Sequence, residues 1–248
     1  MTSRQKDIPM WTAQEFERLV LSCNPKVAVF DGDGTLWSGD SGYGFMVWSL
    51  EQGLVSRSTS HWIDARHRAY RSGHVGELEI CGEMVQIYAG LRDQELRDAA
   101  AQYVQQFVRG RVFPEMVSLL AALRRTGVEL WVVSSTNRWV IAEAVRDFGI
   151  LEEHVLAAEV RVTAGVISSE IVDVPTDERK AGALQRVGLA RPDAVFGNSI
   201  HDLAMLRIAR HAFPVNPSPA LLQAASKNGW GYFRPQAAEG LEAAVDGE

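Results

Sequence analysis

Cysteine is scarce in this chain: Cys23 and Cys81 are the only two among 248 residues. They stand far apart and in no metal-ligand spacing, which excludes a disulfide framework and fits buried thiols in a reducing compartment. Also missing is any apolar run long enough to span a bilayer. The opening stretch MTSRQKDIPMWTAQEFERL lacks the apolar core of a signal peptide, so a cytoplasmic protein is expected, with no membrane partner. There is no basic excess. The net charge of -6 excludes nucleic acid as the main partner, because backbone binding needs a dense basic face. Six histidines fall in no ligand spacing, which argues against zinc. What remains is an ordinary globular composition, 46% hydrophobic and 23% charged, long enough for one large domain or a core carrying an insertion. Nothing in it fixes an oligomeric state.

The apolar pattern supplies the organisation. Thr12, with Glu15 three residues on, forms a capping box ahead of Phe16, Leu19 and Val20, and Asn24–Pro25 ends that helix. Short apolar runs at Val27–Phe30, Val128–Val133 and Asp193–Phe196 read as strands of a parallel sheet, since none alternates strictly. Helical patterns lie between them: MVSLLAALRRTG, stopped by Gly127, WVIAEAVRDFG, stopped by Gly149, and TDERKAGALQRVG, from Thr176 to Gly188. The alternation predicts an α/β fold, a doubly wound Rossmann-like parallel sheet. The interval between the first two strands is far longer than one crossover needs. It holds helical patterns, the clearest being Leu96, Ala100, Tyr103, Val104 and Phe107 on one face. Residues 40–110 are therefore expected to form an inserted helical cap, and 1–39 with 111–248 the core. The alternative is a single domain with extra helices on the sheet face.

Open parallel sheets bind ligands outside the carboxyl ends of their strands. Asp31 and Asp33 follow the first strand, Ser134 and Ser135 the second, and Asn198, Ser199 and Asp202 the third. Taken singly, each has a plainer reading: Asp31 and Asp33 as turn residues, Ser134 as a cap, Lys180 on a solvated helix face, His201 at an exposed helix start. Together they make a nucleophile, a proton donor, a cation and donors for phosphate oxygens, the set that phosphoryl transfer requires.

The ordered set DGDGT (31–35), Ser134, Lys180 and GNSIHD (197–202) resembles the four motifs of the haloacid dehalogenase superfamily over nearly the whole chain. AGVISS after Thr163 and PVNPSPAL (214–221), with GW after it, resemble its phosphoserine-phosphatase-like branch. The resemblance implies a magnesium-dependent phosphomonoesterase acting on a small phosphate ester. Asp31 is then the nucleophile that becomes an aspartyl-phosphate, and Asp33 the acid and base for the leaving alkoxide and the water. The dehalogenases of the superfamily lack that second acid. Ser134, Ser135, Lys180 and Thr35 are implied phosphate-binding or loop-supporting residues. Asp31, Asp33, Asn198 and Asp202 are implied around Mg²⁺. Phosphotransfer to another acceptor, and a non-catalytic phosphate-binding protein, are the alternatives.

Two departures from the family's pattern carry information. Asn198 stands where an acid ordinarily binds the metal; its carbonyl oxygen still suits a hard cation, with one negative charge fewer. In phosphoserine phosphatases an acid at the position of Asp40 meets the substrate ammonium, while a cap arginine holds the carboxylate. Here ICGEMVQIYAGL places Glu83 and Met84 where basic residues are expected. An acid beside a carboxylate substrate is unfavourable. With Trp37, Tyr43, Phe45 and Trp48 close in sequence, an acidic, partly aromatic pocket for a cationic head group such as phosphocholine or phosphoethanolamine is expected. Ordinary helix packing is the other reading of those aromatics.

Overall fold

The computed structural model of the chain describes residues 8–239; residues 1–7 and 240–248, the two ends of the expected core domain, lie outside them. Along the chain, β1 (Met10–Trp11), α1 (Ala13–Ser22) and β2 (Val27–Phe30) precede four helices, α2 (Ser41–Glu51), α3 (Arg57–Arg71), α4 (Glu77–Gln86) and α5 (Asp93–Tyr103). Then follow α6 (Pro114–Arg125), β3 (Glu129–Asn137), α7 (Arg138–Arg146), β4 (Val155–Thr163) and β5 (Val166–Asp173). The remainder holds α8 (Glu178–Arg186), β6 (Ala194–Gly197), α9 (Leu203–Ile208), β7 (His211–Pro214), α10 (Pro219–Asn228), β8 (Tyr232–Phe233) and α11 (Gln236–Glu239). Among the described residues no helix is long and apolar enough to cross a membrane.

The described residues divide into two compact units. The first takes residues up to 39, 111–133 and from 177 onward; the second takes 40–110 and 134–176. The expected insertion thus falls in the second unit, which also includes 134–176.

In the first unit β2 pairs in parallel with β3 on one side and β6 on the other, and β6 pairs in parallel with β7. Ala28, Val29 and Phe30 are wholly buried, as a strand covered on both faces requires, which is why β2 reads as a continuous apolar run. This is the expected α/β class with a Rossmann-like parallel sheet. Phe30 stacks on Phe196 with centroids 4.3 Å apart, and Phe16 of α1 stacks on Phe233 at 4.5 Å. Burying each such ring contributes about 2–3 kcal/mol. The Thr12 capping box forms as expected, its hydroxyl accepting from the Glu15 amide while the Glu15 carboxylate accepts from the Thr12 amide. From β2 the chain goes to β3 on one side and reaches β6 on the other. The carboxyl end of β2 is therefore a topological switch point, where such sheets open a crevice for ligands.

The second unit holds α2–α5, the last four residues of β3, α7 and an antiparallel hairpin of β4 and β5. Ala164 and Gly165 form its turn with positive φ, the backbone that short hairpins favour. No strands are expected here from the sequence. Ala157 and Ala158 break the alternation of β4, and β5 leaves Ile171 and Val172 exposed, so neither pattern stands out. Two further differences are local. β3 runs on through Asn137 rather than ending at Val133, carrying Ser134 and Ser135 in extended backbone. The helical face of Leu96, Ala100, Tyr103 and Val104 is buried, but a π-helical stretch, Val104–Val108, changes the phase there. Val108 is buried in place of Phe107, which is 40% exposed.

Candidate active site

The ladder of β2 continues for one residue past Phe30, since the Asp31 amide donates to the Phe196 carbonyl at 3.0 Å. The chain then turns sharply: the Thr35 and Leu36 amides both donate to the Gly32 carbonyl. Gly34 adopts φ +75°, and a Cβ there would meet the Asn198 side-chain amide at 1.9 Å. Glycine is needed at this position for both reasons. The turn brings the Thr35 hydroxyl to Asp31 Oδ2 (3.2 Å) and the Trp37 indole N–H to Asp33 Oδ1 (2.7 Å). Thr35 is wholly buried, so its hydroxyl orients the Asp31 carboxylate.

Lys180 completes the buried cluster. It lies on the face of α8 that also buries Ala181, Ala183 and Leu184, which excludes a solvated position. Its Nζ donates to Asp31 Oδ1 at 2.7 Å, to Asp202 Oδ1 at 2.6 Å and to the Val133 carbonyl at 3.3 Å. Asp202 caps the short turn after β6: its Oδ2 accepts from the amides of Asn198 and Ser199, both at 2.9 Å. Both oxygens of Asp202 are thus engaged by the ammonium and the loop. A Cβ on Gly197 would lie 2.6 Å from the Cβ of Asp202, so the loop closes only over a glycine. His201, half-buried, pairs with Asp177 at 2.7 Å.

Two carboxyl groups and one ammonium share this dry space, with one surplus negative charge when Asp31 is ionised. Burial pushes Asp31 up, to about 7; the Asp202 charge adds to the shift, and Lys180 reverses only part of it. Lys180 has the opposite balance. Burial disfavours its charge, but the two carboxylates outweigh this and raise it. Among the described residues no group of three or more His, Cys, Asp or Glu is arranged around a metal position. The donors beside the turn are instead hard oxygens, of Asp31, Asp33 and the Asn198 side chain that packs on Gly34. Oxygen donors with surplus negative charge fit a small divalent cation.

The other expected site residues, Trp37 apart, lie in the second unit. Ser134 is buried and its hydroxyl accepts from the Thr136 amide at 3.1 Å. The carboxyl end of β3 abuts the first turn of α2, where a Cβ on Gly42 would meet the Thr136 hydroxyl at 2.5 Å. Asp40 caps α2, accepting from the Tyr43 amide at 2.8 Å, and remains exposed. The Tyr43 ring stacks on His67 at 4.1 Å; burial there, then the charge of Arg71, lowers the imidazole's proton affinity. Glu83 is held by Arg66 through two hydrogen bonds of 2.8 and 2.9 Å, and Met84 beside it is half-buried. Phe45 and Trp48 pack with Tyr103 in the interior of this unit, while Trp37, in the first unit, is wholly buried. For Phe45 and Trp48 packing is the role observed, whereas the Trp37 indole also donates to Asp33.

Sequence reasoning misses a polar cluster in this unit. Glu77 accepts from the Cys81 thiol (3.5 Å) and from the Tyr70 hydroxyl, and Cys81 also bonds Ser135. Burial pushes the Tyr70 hydroxyl and the Cys81 thiol up, and the charges of Glu77 and Asp40 push them further. The i,i+4 spacing of Glu77 and Cys81 on α4 was the available signal.

A model of the haloacid dehalogenase-like hydrolase family matches residues 28–207. A protein of Mycobacterium tuberculosis named as a probable phosphatase is 26% identical over 211 residues, covering 82% of this chain and 73% of its own. A histidinol-phosphatase of Neisseria meningitidis is 22% identical over 215 residues, covering 82% and 96%. Among solved structures, a Bordetella pertussis protein of unknown function superposes with a TM-score of 0.74 at 21% identity, over 84% of this chain and 97% of that one. A substrate-bound phosphoserine phosphatase superposes with a TM-score of 0.58 at 14% identity, over 90% and 97%.

Proposed function

With this chain a member of the haloacid dehalogenase-like hydrolase family and a phosphatase, we propose that it hydrolyses small phosphate monoesters through an aspartyl-phosphate on Asp31. The observation that carries this reading is the buried clamp on Asp31 by Thr35 and Lys180 at the sheet's switch point. A carboxylate so fixed has one trajectory of attack, and the ammonium offsets charge as the phosphoryl group arrives. An oxygen of Asp31 bonds to phosphorus as the ester P–O bond breaks, and Asp33 gives its proton to the departing alkoxide. Asp33 then takes a proton from the water that attacks phosphorus, releasing inorganic phosphate and restoring Asp31. Asp202 anchors Lys180 and the loop after β6, and Ser134 and Ser135 bind phosphate oxygens. Asp31, Asp33 and Asn198 would hold Mg²⁺, which when bound neutralises charge on the phosphate and on Asp31.

The substrate in this reading carries a cationic head group. Asp40 and Glu77 put negative charge around the hydroxyl and thiol of Tyr70 and Cys81, and Cys81 bonds Ser135 next to the phosphate-binding Ser134. Release of phosphate from p-nitrophenyl phosphate, with and without Mg²⁺, tests the activity, and Asp31→Asn abolishes it. A panel of phosphocholine, phosphoethanolamine, histidinol phosphate and phosphoserine tests the head group. Phosphoserine as the best substrate would overturn the cationic reading and leave the phosphatase standing.

A further inference from the structure

We propose that Trp37 is a positioning residue for proton transfer, holding the Asp33 carboxyl so that one chosen oxygen carries the proton. This rests on the reading of Asp33 as the acid and base. Trp37 is wholly buried, and its indole N–H donates to Asp33 Oδ1 at 2.7 Å. The backbone around the indole is pinned on two sides. Its carbonyl accepts from the Gly34 amide at 2.7 Å, and the Phe113 and Ser38 amides exchange with Leu36 and Arg111 at 3.0 Å each. Isolated bridges join Trp37 to both Asp33 and Val112. The indole therefore cannot follow the carboxyl if it rotates.

The chemistry of the pair sets the consequence. An indole nitrogen donates and never accepts. The carbonyl oxygen of a protonated carboxyl is a better acceptor than its hydroxyl oxygen, so the bond favours Oδ1 as the carbonyl and the proton on Oδ2. Trp37 thereby fixes the carboxyl plane and selects Oδ2 to meet the leaving oxygen and, later, the water. A phenylalanine fills most of the same space without the donor. A buried tryptophan four residues after the acid is thus explained by its nitrogen as well as its bulk.

The test compares two esters of similar shape on the parent and Trp37→Phe: phenyl phosphate and p-nitrophenyl phosphate. Phenolate is the more basic leaving group and needs the proton more. kcat/KM reports the steps through ester cleavage, so it isolates proton donation from hydrolysis of the intermediate. We expect kcat/KM to fall about tenfold or more for phenyl phosphate and within about twofold for p-nitrophenyl phosphate. Equal falls for both esters, or no fall for either, would overturn the positioning role. If Asp33→Asn itself spares phenyl phosphate turnover, the underlying reading of Asp33 fails instead. Should Trp37→Phe not fold, the indole proton resonance of Trp37 serves in its place. It is expected to move upfield in Asp33→Ala, which removes the acceptor oxygen, and an unmoved resonance overturns the proposal.

Discussion

Asp31, Lys180 and Asp202 in the first unit are 5%, 2% and 0% exposed, and each is held by two or more partners at the end of a rigid parallel sheet. In the second unit Tyr43, Glu77 and Glu83 lie on helices and Asp40 at a helix N-cap, all of them half-buried or exposed. The first arrangement has a single geometry, since an ionised group buried without its partner costs several kcal/mol. The second can exchange side chains at small cost. Fixed charge suits the chemical step, and replaceable polar surface suits selection of a head group.

The largest effect that would break this contrast is expected from Lys180→Met. It leaves Asp31 and Asp202 buried without their cation, costing about 3–5 kcal/mol in chemical denaturation and abolishing turnover. A loss below about 1 kcal/mol would place both carboxylates in contact with water after all. Next is Gly197→Ala, whose methyl must displace Asp202. A destabilisation of about 1–3 kcal/mol is expected, with turnover lowered through the shifted Lys180. A third effect is pH-dependent. Asp31 is raised from an ordinary 3.8 to about 7 in the fold, so between those values the folded state holds a proton that the unfolded chain releases. Stability of the chelator-treated protein therefore falls as pH rises from about 4 to about 7, and Asp31→Asn removes that slope. An unchanged slope in the variant assigns it to other groups.

Smaller effects are expected in the second unit. Asp40→Asn keeps a good N-cap for α2 while removing the charge. It should lower kcat/KM for phosphocholine about three- to tenfold relative to p-nitrophenyl phosphate, with unfolding unchanged within about 0.5 kcal/mol. Glu83→Gln weakens only a partly exposed pair with Arg66. A cost below about 1 kcal/mol and no change in substrate preference are expected. A large change in preference would make Glu83 part of the head-group site.

The sequence made the first unit legible because its strands are short apolar runs ending in the residues that matter. Asp31 and Asn198 each follow such a run, and sheet topology gathers strand ends without any knowledge of side chains. What it hid is how the groups engage one another. Lys180 on spacing alone could face solvent; only the burial of Ala181 and Leu184 turns it inward. The pairing of Trp37 with Asp33 depends on a turn whose hydrogen bonds no periodicity reports. In the second unit, Tyr70, Glu77 and Cys81 come from two helices joined by a loop, and their meeting is a tertiary fact. The β4–β5 hairpin escaped because its exposed valines and buried alanines reverse the usual alternation.

The central claim is a covalent bond between Asp31 and the phosphoryl group, and trapping it tests that claim most directly. The protein is mixed with p-nitrophenyl phosphate and Mg²⁺, quenched in acid during turnover, digested and weighed by mass spectrometry. The account predicts one added phosphoryl group, labile to hydroxylamine, on the peptide containing Asp31, and none in Asp31→Asn. Turnover with no modification of that peptide, or with the phosphoryl group on another residue, would contradict it.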